Sequence, residues 1–285
     1  ALWSTAERRA RAPLVCVGHG AQASCTLANC MTSVPRETIA DRYELLEMIG
    51  QGGQALVFAA NDLQEQRRVA VKVMSRAVSR DPRWVERMAR EQQAMVSLAG
   101  TNAVGFIDLC TSQTGALCLV MELLSGSDLE EHQKGCETRG VPMNLDEVIG
   151  LLGPIVDTLE KAHAVGIVHR DLKPGNIFLE DSPSGRVPRL LDFGFARMTQ
   201  SKQVTETGTI LGSPSYIAPE MWLTLPDAVD PRVDVYSLGV ILYRLLTLEL
   251  PFPGDSLQAK FLAATSAERP SLHQRRRYWL GGSGF

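Results

Sequence analysis

Closely spaced cysteine pairs are missing from this sequence. Its six cysteines, Cys16, Cys25, Cys30, Cys110, Cys118 and Cys136, form no Cys-x-x-Cys unit and no dense array. That excludes the disulfide framework of a small secreted domain and fits a reducing, cytoplasmic setting. Cys16, Cys25 and Cys30 with His19 can be drawn as a zinc set, but zinc sites ordinarily show a close ligand pair, so scattered thiols are the simpler reading. Excess charge is missing too. The formal net charge is −3, which leaves no broad basic surface for nucleic acid, and the densest basic run, Arg275-Arg276-Arg277, reads as a solvated tail. No stretch approaches the roughly 18 uninterrupted apolar residues of a membrane span. Residues 8–18 set basic residues before a short apolar run, as a signal sequence does, but the run is too short and no small-residue cleavage site follows. There is no internal repeat.

What is present suffices for a sizeable core: 45% of the 285 residues are apolar. At about 150 residues per domain the length suggests two compact units. Residues 1–30 carry neither helical nor strand periodicity, and Met31, which opens a more orderly stretch, reads as the natural start. Residues 43–74 read as three strands, with the glycine cluster GQGGQA at 50–55 between the first two. In the third, Val69, Val71 and Val73 face one side while Ala70, Lys72 and Met74 face the other. Asp81-Pro82 starts a helix that brings Trp84, Met88, Glu91 and Met95 to one face. An acid on an apolar face needs a partner, and Lys72 is the natural one. Residues 104–109 and 116–123 read as two further strands.

After that the pattern turns helical. Asn144 and Glu147 have capping-box spacing ahead of a stripe of Val148, Leu151, Leu152, Ile155, Leu159 and Ala162, and Pro154 predicts a kink. Asp230-Pro231 opens another helix carrying Val235, Leu238, Ile241, Leu242 and Leu245. The outline is α+β: a small β-rich lobe with one helix, then a larger, mainly helical lobe.

Five motifs occur in order along this outline. The first is the loop from Ile49 to Val57 with Gly50, Gly52 and Gly53, whose backbone can approach phosphates; alone, such a loop is usually only a turn. The second is VAVK ending at Lys72, nineteen residues before Glu91. The third is His169-Arg170-Asp171-Leu172-Lys173-Pro174-Gly175-Asn176, the fourth Leu191-Asp192-Phe193-Gly194 and the fifth Ala218-Pro219-Glu220. Together they resemble the eukaryotic-like serine/threonine protein kinase family, in its bacterial branch, over about Tyr43 to Ala263.

The resemblance implies a two-lobed protein-kinase-like fold with an N-lobe over 43–123 and a C-lobe over 124–263, preceded by an extension (1–42) and followed by a divergent tail (264–285). It implies transfer of the γ-phosphoryl group of ATP to protein hydroxyls, with Mg²⁺ as the ion and Mn²⁺ as its alternative. By the same resemblance Lys72, held by Glu91, binds the α- and β-phosphates; Asp171 accepts or orients the substrate hydroxyl; Lys173 neutralises the γ-phosphate; Asn176 and Asp192 hold the metal. Adenine is expected between Val57 and Ala70 above and Phe178 below, with Met121 guarding the back of the pocket. Backbone groups of Glu122 and Leu124 meet its edge, and Asp128 approaches the ribose. Lys173, two places after Asp171, resembles the serine/threonine rather than the tyrosine class. A homodimer through the small lobe is a further implication.

Arg170 resembles the arginine that meets a phosphate on the activation loop. The hydroxyls Thr199, Ser201, Thr205, Thr207 and Thr209 crowd that loop, and autophosphorylation is expected at Thr205 and Thr207. Ser213 stands where the family often has threonine, and Ala55 where it has a third glycine. Arg269 lies only forty-nine residues beyond Glu220, too near to be its usual partner, so Glu220 is expected as a half-buried acid without its ion pair in a shortened C-lobe. Two alternatives to an active kinase stay open: an ATP-binding pseudokinase and an inactive, truncated fragment. A small-molecule kinase shares the fold, but the Ser213–Glu220 segment favours protein substrates.

Overall fold

The computed structural model describes residues 37–52, 55–75, 79, 92, 95–193, 214–222, 229–266 and 269–272. These fall into two units, 37–79 with 107–123 and 92–106 with 124–272. The stretch 81–91 with Trp84, Met88 and Glu91, together with Gly53 and the activation-loop hydroxyls, lies outside the described residues.

In the first unit β1 (Thr38–Ile39), β2 (Tyr43–Gln51), β3 (Ala55–Asp62), β4 (Arg67–Met74), β5 (Phe106–Thr111) and β6 (Leu117–Glu122) make one sheet in the order β1-β2-β3-β4-β6-β5. Directly opposed residues of antiparallel strands share a face. Val57 is opposite Lys72, and Lys72 opposite Leu119; Ala59 is opposite Ala70, and Ala70 opposite Met121. With strand alternation, all six side chains lie on one face. The other face packs Ala60, Val69, Val71, Cys118 and Val120 against Ile39, Tyr43 and Leu45. Valine and isoleucine suit this sheet because their branched side chains fill a pleated, packed surface.

Asp62 closes the β3–β4 hairpin. Its fully buried carboxylate accepts the backbone N–H groups of Gln64 and Glu65 and a two-point bond from Arg42, Nε to Oδ1 at 2.8 Å and Nη2 to Oδ2 at 2.7 Å.

The second unit contains β7 (Gly126–Asp128), α1 (Leu129–Arg139), α2 (Leu145–Ala164), β8 (Ile177–Ser182), β9 (Gly185–Leu190), α3 (Arg232–Thr247) and α4 (Leu257–Thr265). Strands β7, β8 and β9 form a small antiparallel sheet. Gly126 has φ +144°, and a Cβ there would collide with the carbonyl oxygen of Leu179, so the first residue of β7 must be glycine.

Helix α2 starts as its sequence predicts. Asn144 accepts from the Glu147 N–H at 2.9 Å while Glu147 Oε2 accepts from the Asn144 N–H at 3.0 Å. Its buried side includes the whole expected stripe, and the helix runs through Pro154 as one element. Helix α3 begins at Arg232, just past Asp230-Pro231; of its expected stripe Ile241 and Leu245 are buried and Leu238 and Leu242 pack partly buried on the core, while Val235 is 62% exposed and Val233, Asp234, Ser237 and Val240 also point inward. The core of this unit joins α2, α3, β8 and β9.

Candidate active site

In the helical unit the predicted catalytic segment is organised around a buried acid that sequence reasoning missed. Asp234, on the inner face of α3, is fully buried. It accepts the backbone N–H groups of His169 and Arg170, each at 2.8 Å, and meets His163 Nε2 at 2.8 Å. Burial alone pushes the Asp234 carboxyl up; His163, His169 and the two backbone donors outweigh it and hold the group below its ordinary range. This bonding fixes Arg170 at φ +64°, a left-handed conformation unusual for a non-glycine residue. The signal was available: Asp234 is an acid on an apolar helix face, the same anomaly that draws attention to Glu91.

With the backbone turned there, Asp171, Lys173 and Asn176 converge. Lys173 Nζ donates to Asp171 Oδ2 at 2.6 Å. The Asn176 amide donates to the same oxygen at 3.1 Å and to the Asp171 carbonyl at 2.7 Å. The Leu191 N–H donates to the Asn176 carbonyl, and a ring nitrogen of His169 meets the Leu191 carbonyl, both tying Asp192 to this loop. Asp192 has φ +51°, and Phe193 after it is buried against the His169 ring at a centroid distance of 5.1 Å.

The Asn176 amide nitrogen is spent on Asp171, which leaves its Oδ1 as the oxygen it could offer a hard cation. Among the described residues no three His, Cys, Asp or Glu side chains form a metal cage. The donor set fits instead an ion that completes its shell with water and phosphate oxygens, as Mg²⁺ characteristically does.

In the β unit the nucleotide-side candidates are placed by register. Val57, Ala70, Lys72 and Met121 lie on the same face of the sheet, and all are buried. A buried lysine on an otherwise apolar face is not the solvent-facing residue that a strand lysine usually is. Gly50 pairs with Val57, and the Gly52 N–H donates to the Ala55 carbonyl at 2.9 Å; Gly53 and Glu91 are outside the described residues. Glu122 ends β6 opposite Val69; Leu124 and Phe178 are buried, each in the helical unit.

Asp128 is 1% exposed and its Oδ1 caps α1 by accepting the Glu131 N–H at 2.8 Å, so its carboxylate organises the helix start. One expectation needs correcting. Glu220 is exposed, not half-buried, and is not without a partner; Arg232 lies close enough to feel its charge. Arg269 packs its guanidinium over the Phe252 ring at 5.9 Å and donates to the Ser266 carbonyl.

The protein kinase domain family matches residues 43–276. Serine/threonine-protein kinase pkn3 of Myxococcus xanthus is 36% identical over 248 residues, covering 85% of this chain and 44% of the relative. PknB of Mycobacterium leprae is 38% identical over 232 residues, 79% of this chain and 35% of that protein. PrkC of Bacillus subtilis is 34% identical over 233 residues, 82% and 34% respectively. The chain therefore spans less than half the length of these curated relatives. Among solved structures, the kinase domain of Mycobacterium tuberculosis PknI, as a double mutant, superposes with a TM-score of 0.66 over 86% of this chain and 85% of that one at 23% identity, which speaks to the fold.

Proposed function

Because the chain belongs to the protein kinase domain family, we propose that it is the catalytic part of a serine/threonine protein kinase, transferring the γ-phosphoryl group of ATP to a serine or threonine hydroxyl of a protein. The observation that carries this reading is the convergence of Lys173 Nζ and the Asn176 amide on one carboxylate oxygen of Asp171. Phosphoryl transfer asks little covalent chemistry of a protein. It asks for placement of the hydroxyl and neutralisation of the phosphates.

In this mechanism Asp171 receives the hydroxyl proton as the hydroxyl oxygen bonds to the γ-phosphorus, and the bond to the β,γ-bridging oxygen breaks to leave ADP. Lys173, already held at Asp171, neutralises charge on the transferring group. Lys72 binds the α- and β-phosphates from the sheet, with Glu91 as its partner, and Val57, Ala70 and Phe178 bracket the adenine. Asn176 and Asp192 hold the divalent ion, Mg²⁺ or Mn²⁺, which when bound offsets phosphate charge. Arg170 is the receptor for a phosphate on the loop carrying Thr205 and Thr207, a reading supported by its buried Nε, which has no hydrogen-bond partner among the described residues. Among the described residues no helix is long and apolar enough to cross a membrane. A cytoplasmic setting, where ATP is available, goes with this proposal.

The test is incubation of the purified chain with labelled ATP and Mg²⁺ beside Asp171→Asn. Label on the first and none on the second is expected. ATP binding without transfer in the unsubstituted chain would overturn the reading in favour of a pseudokinase. Phosphopeptide mapping checks the loop: label is expected at Thr205 and Thr207.

A further inference from the structure

The helical unit contains a groove of about 660 Å³ that the phosphoryl-transfer chemistry does not use. Three elements build it. One stripe of α1 supplies His132, Cys136 and Arg139, the first turns of α2 supply Glu147 and Leu151, and one side of the β8–β9 hairpin supplies Leu179, Pro188 and Arg186. Leu179 pairs with Pro188 and Asp181 with Arg186, so these residues share one side of the hairpin, while Phe178 lies on the other by strand alternation. The groove is thus on the opposite side of this hairpin from the adenine candidate.

Its walls are largely apolar, and the charged side chains that line it are Arg139, Arg186 and Glu147. Arg139, in the last turn of α1, forms no ion pair among the described residues; its hydrogen bond is a weak one to Cys136 Sγ at 3.5 Å. Arg186 meets Asp181 at 3.5 Å, an exposed pair that solvent weakens, and donates to His132 Nδ1 at 3.4 Å. The acid on the wall, Glu147, is engaged by the α2 cap. Burial first, then the charges of Arg186 and Arg139, hold the His132 imidazole below its usual range, with Glu147 opposing. The loop that closes the groove exposes Val141 at 58%, which carries the apolar wall out to the surface.

We propose that this groove docks an extended acidic segment of a partner protein, its carboxylates meeting Arg139 and Arg186 and its alternate apolar side chains seated on Leu151, Leu179 and Val141. An acyl chain fits less well, because an open wall would leave much of it in water. An extended strand, with charged and apolar side chains alternating, matches a groove with cations on its rim and carbon on its floor. The site is independent of the transfer reaction and is tested without it.

The experiment uses the full chain and a fluorescein-labelled peptide of alternating glutamate and leucine, read by polarisation, beside its lysine–leucine counterpart, oleate, and phosphatidylglycerol vesicles. The acidic peptide should bind, the basic one should not, and Arg139→Glu, Arg186→Glu and Val141→Glu should each weaken binding by about tenfold or more. All three positions are exposed, so melting temperatures should match the unsubstituted chain. ATP-dependent labelling should be the same in all of them. No binding of the acidic peptide, binding indifferent to the three substitutions, equal binding of the basic peptide, or binding confined to oleate or vesicles would each overturn the proposal.

Discussion

The two units position their candidate site residues by different physics. In the β unit the placement of Lys72 is spread over a ladder: β3 and β4 are aligned through eight successive pairs from Ala55–Met74 to Asp62–Arg67, and β4 and β6 through five more. No single side chain holds the register, because slipping it would turn every core residue of β4 outward. In the helical unit the placement of the His169–Asp171 segment converges on one buried carboxylate, Asp234, and on the side-chain bonds among Asp171, Lys173 and Asn176. Distributed placement tolerates substitution; concentrated placement does not.

The chemistry should show the largest contrast. Asp171→Asn keeps the shape and loses the base, and should lower single-turnover phosphoryl transfer by about 10²–10⁴-fold with ATP affinity little changed. Lys72→Met on the ladder should cost about 10²–10³-fold in transfer while the sheet stays intact by circular dichroism. A Lys72→Met chain that transfers phosphate at the normal rate would remove the β unit from the mechanism.

Next in size is the anchor itself. Asp234→Ala leaves two backbone donors and His163 facing a hole, and should destabilise the chain by about 3–5 kcal/mol in urea melts. Folded Asp234→Ala, below its transition, should still transfer phosphate poorly, because Arg170 loses the bonds that keep it at positive φ. Val71→Ala in the sheet core should cost only about 2 kcal/mol. Its folded fraction should work at the normal rate, because the ladder still places Lys72. Equal loss of rate in the two variants would erase the contrast between anchor and ladder.

This difference also explains what was legible in the sequence. Register is a periodic property, so alternation in Val69–Met74 read directly as two faces, and the Asn144–Glu147 pair read directly as a helix start. Anchoring is aperiodic. Asp234 is separated by 64 and 65 positions from the N–H groups it binds and looks like an ordinary first-turn acid. Reading α3 by apolar character alone placed Val235 inside and overlooked Asp234 and Ser237, whose polarity is satisfied by bonds to His169, Arg170, Tyr216 and Val233. Asp128 adds a role that its motif position did not announce: a short acid before a helix is also a capping residue, and here it caps α1. Asp171, Lys173 and Asn176, read from one motif, are joined by side-chain bonds in the structure.

The smallest effect should come from the turn that ends the ladder, where solvent reaches part of Arg42 and screens its bond to Asp62. Arg42 holds the Asp62 carboxyl down, from the ordinary 3.8 to about 2, against the opposing effect of burial. A depressed carboxyl binds its proton more weakly in the folded chain than in the unfolded one, so its stabilisation is complete above about pH 4 and is lost as the pH falls toward 2. Asn at position 62 stands in for the protonated acid at every pH. The Tm gap between the unsubstituted chain and Asp62→Asn should therefore be flat from neutral pH down to about pH 5 and close between about pH 4 and 2. Arg42→Met should abolish most of this pH dependence while leaving the Gln64 and Glu65 N–H bonds in place. A gap that stays open at the acid end would assign the role of Asp62 to those backbone bonds, and the ladder would then end in a turn held by geometry and not by charge.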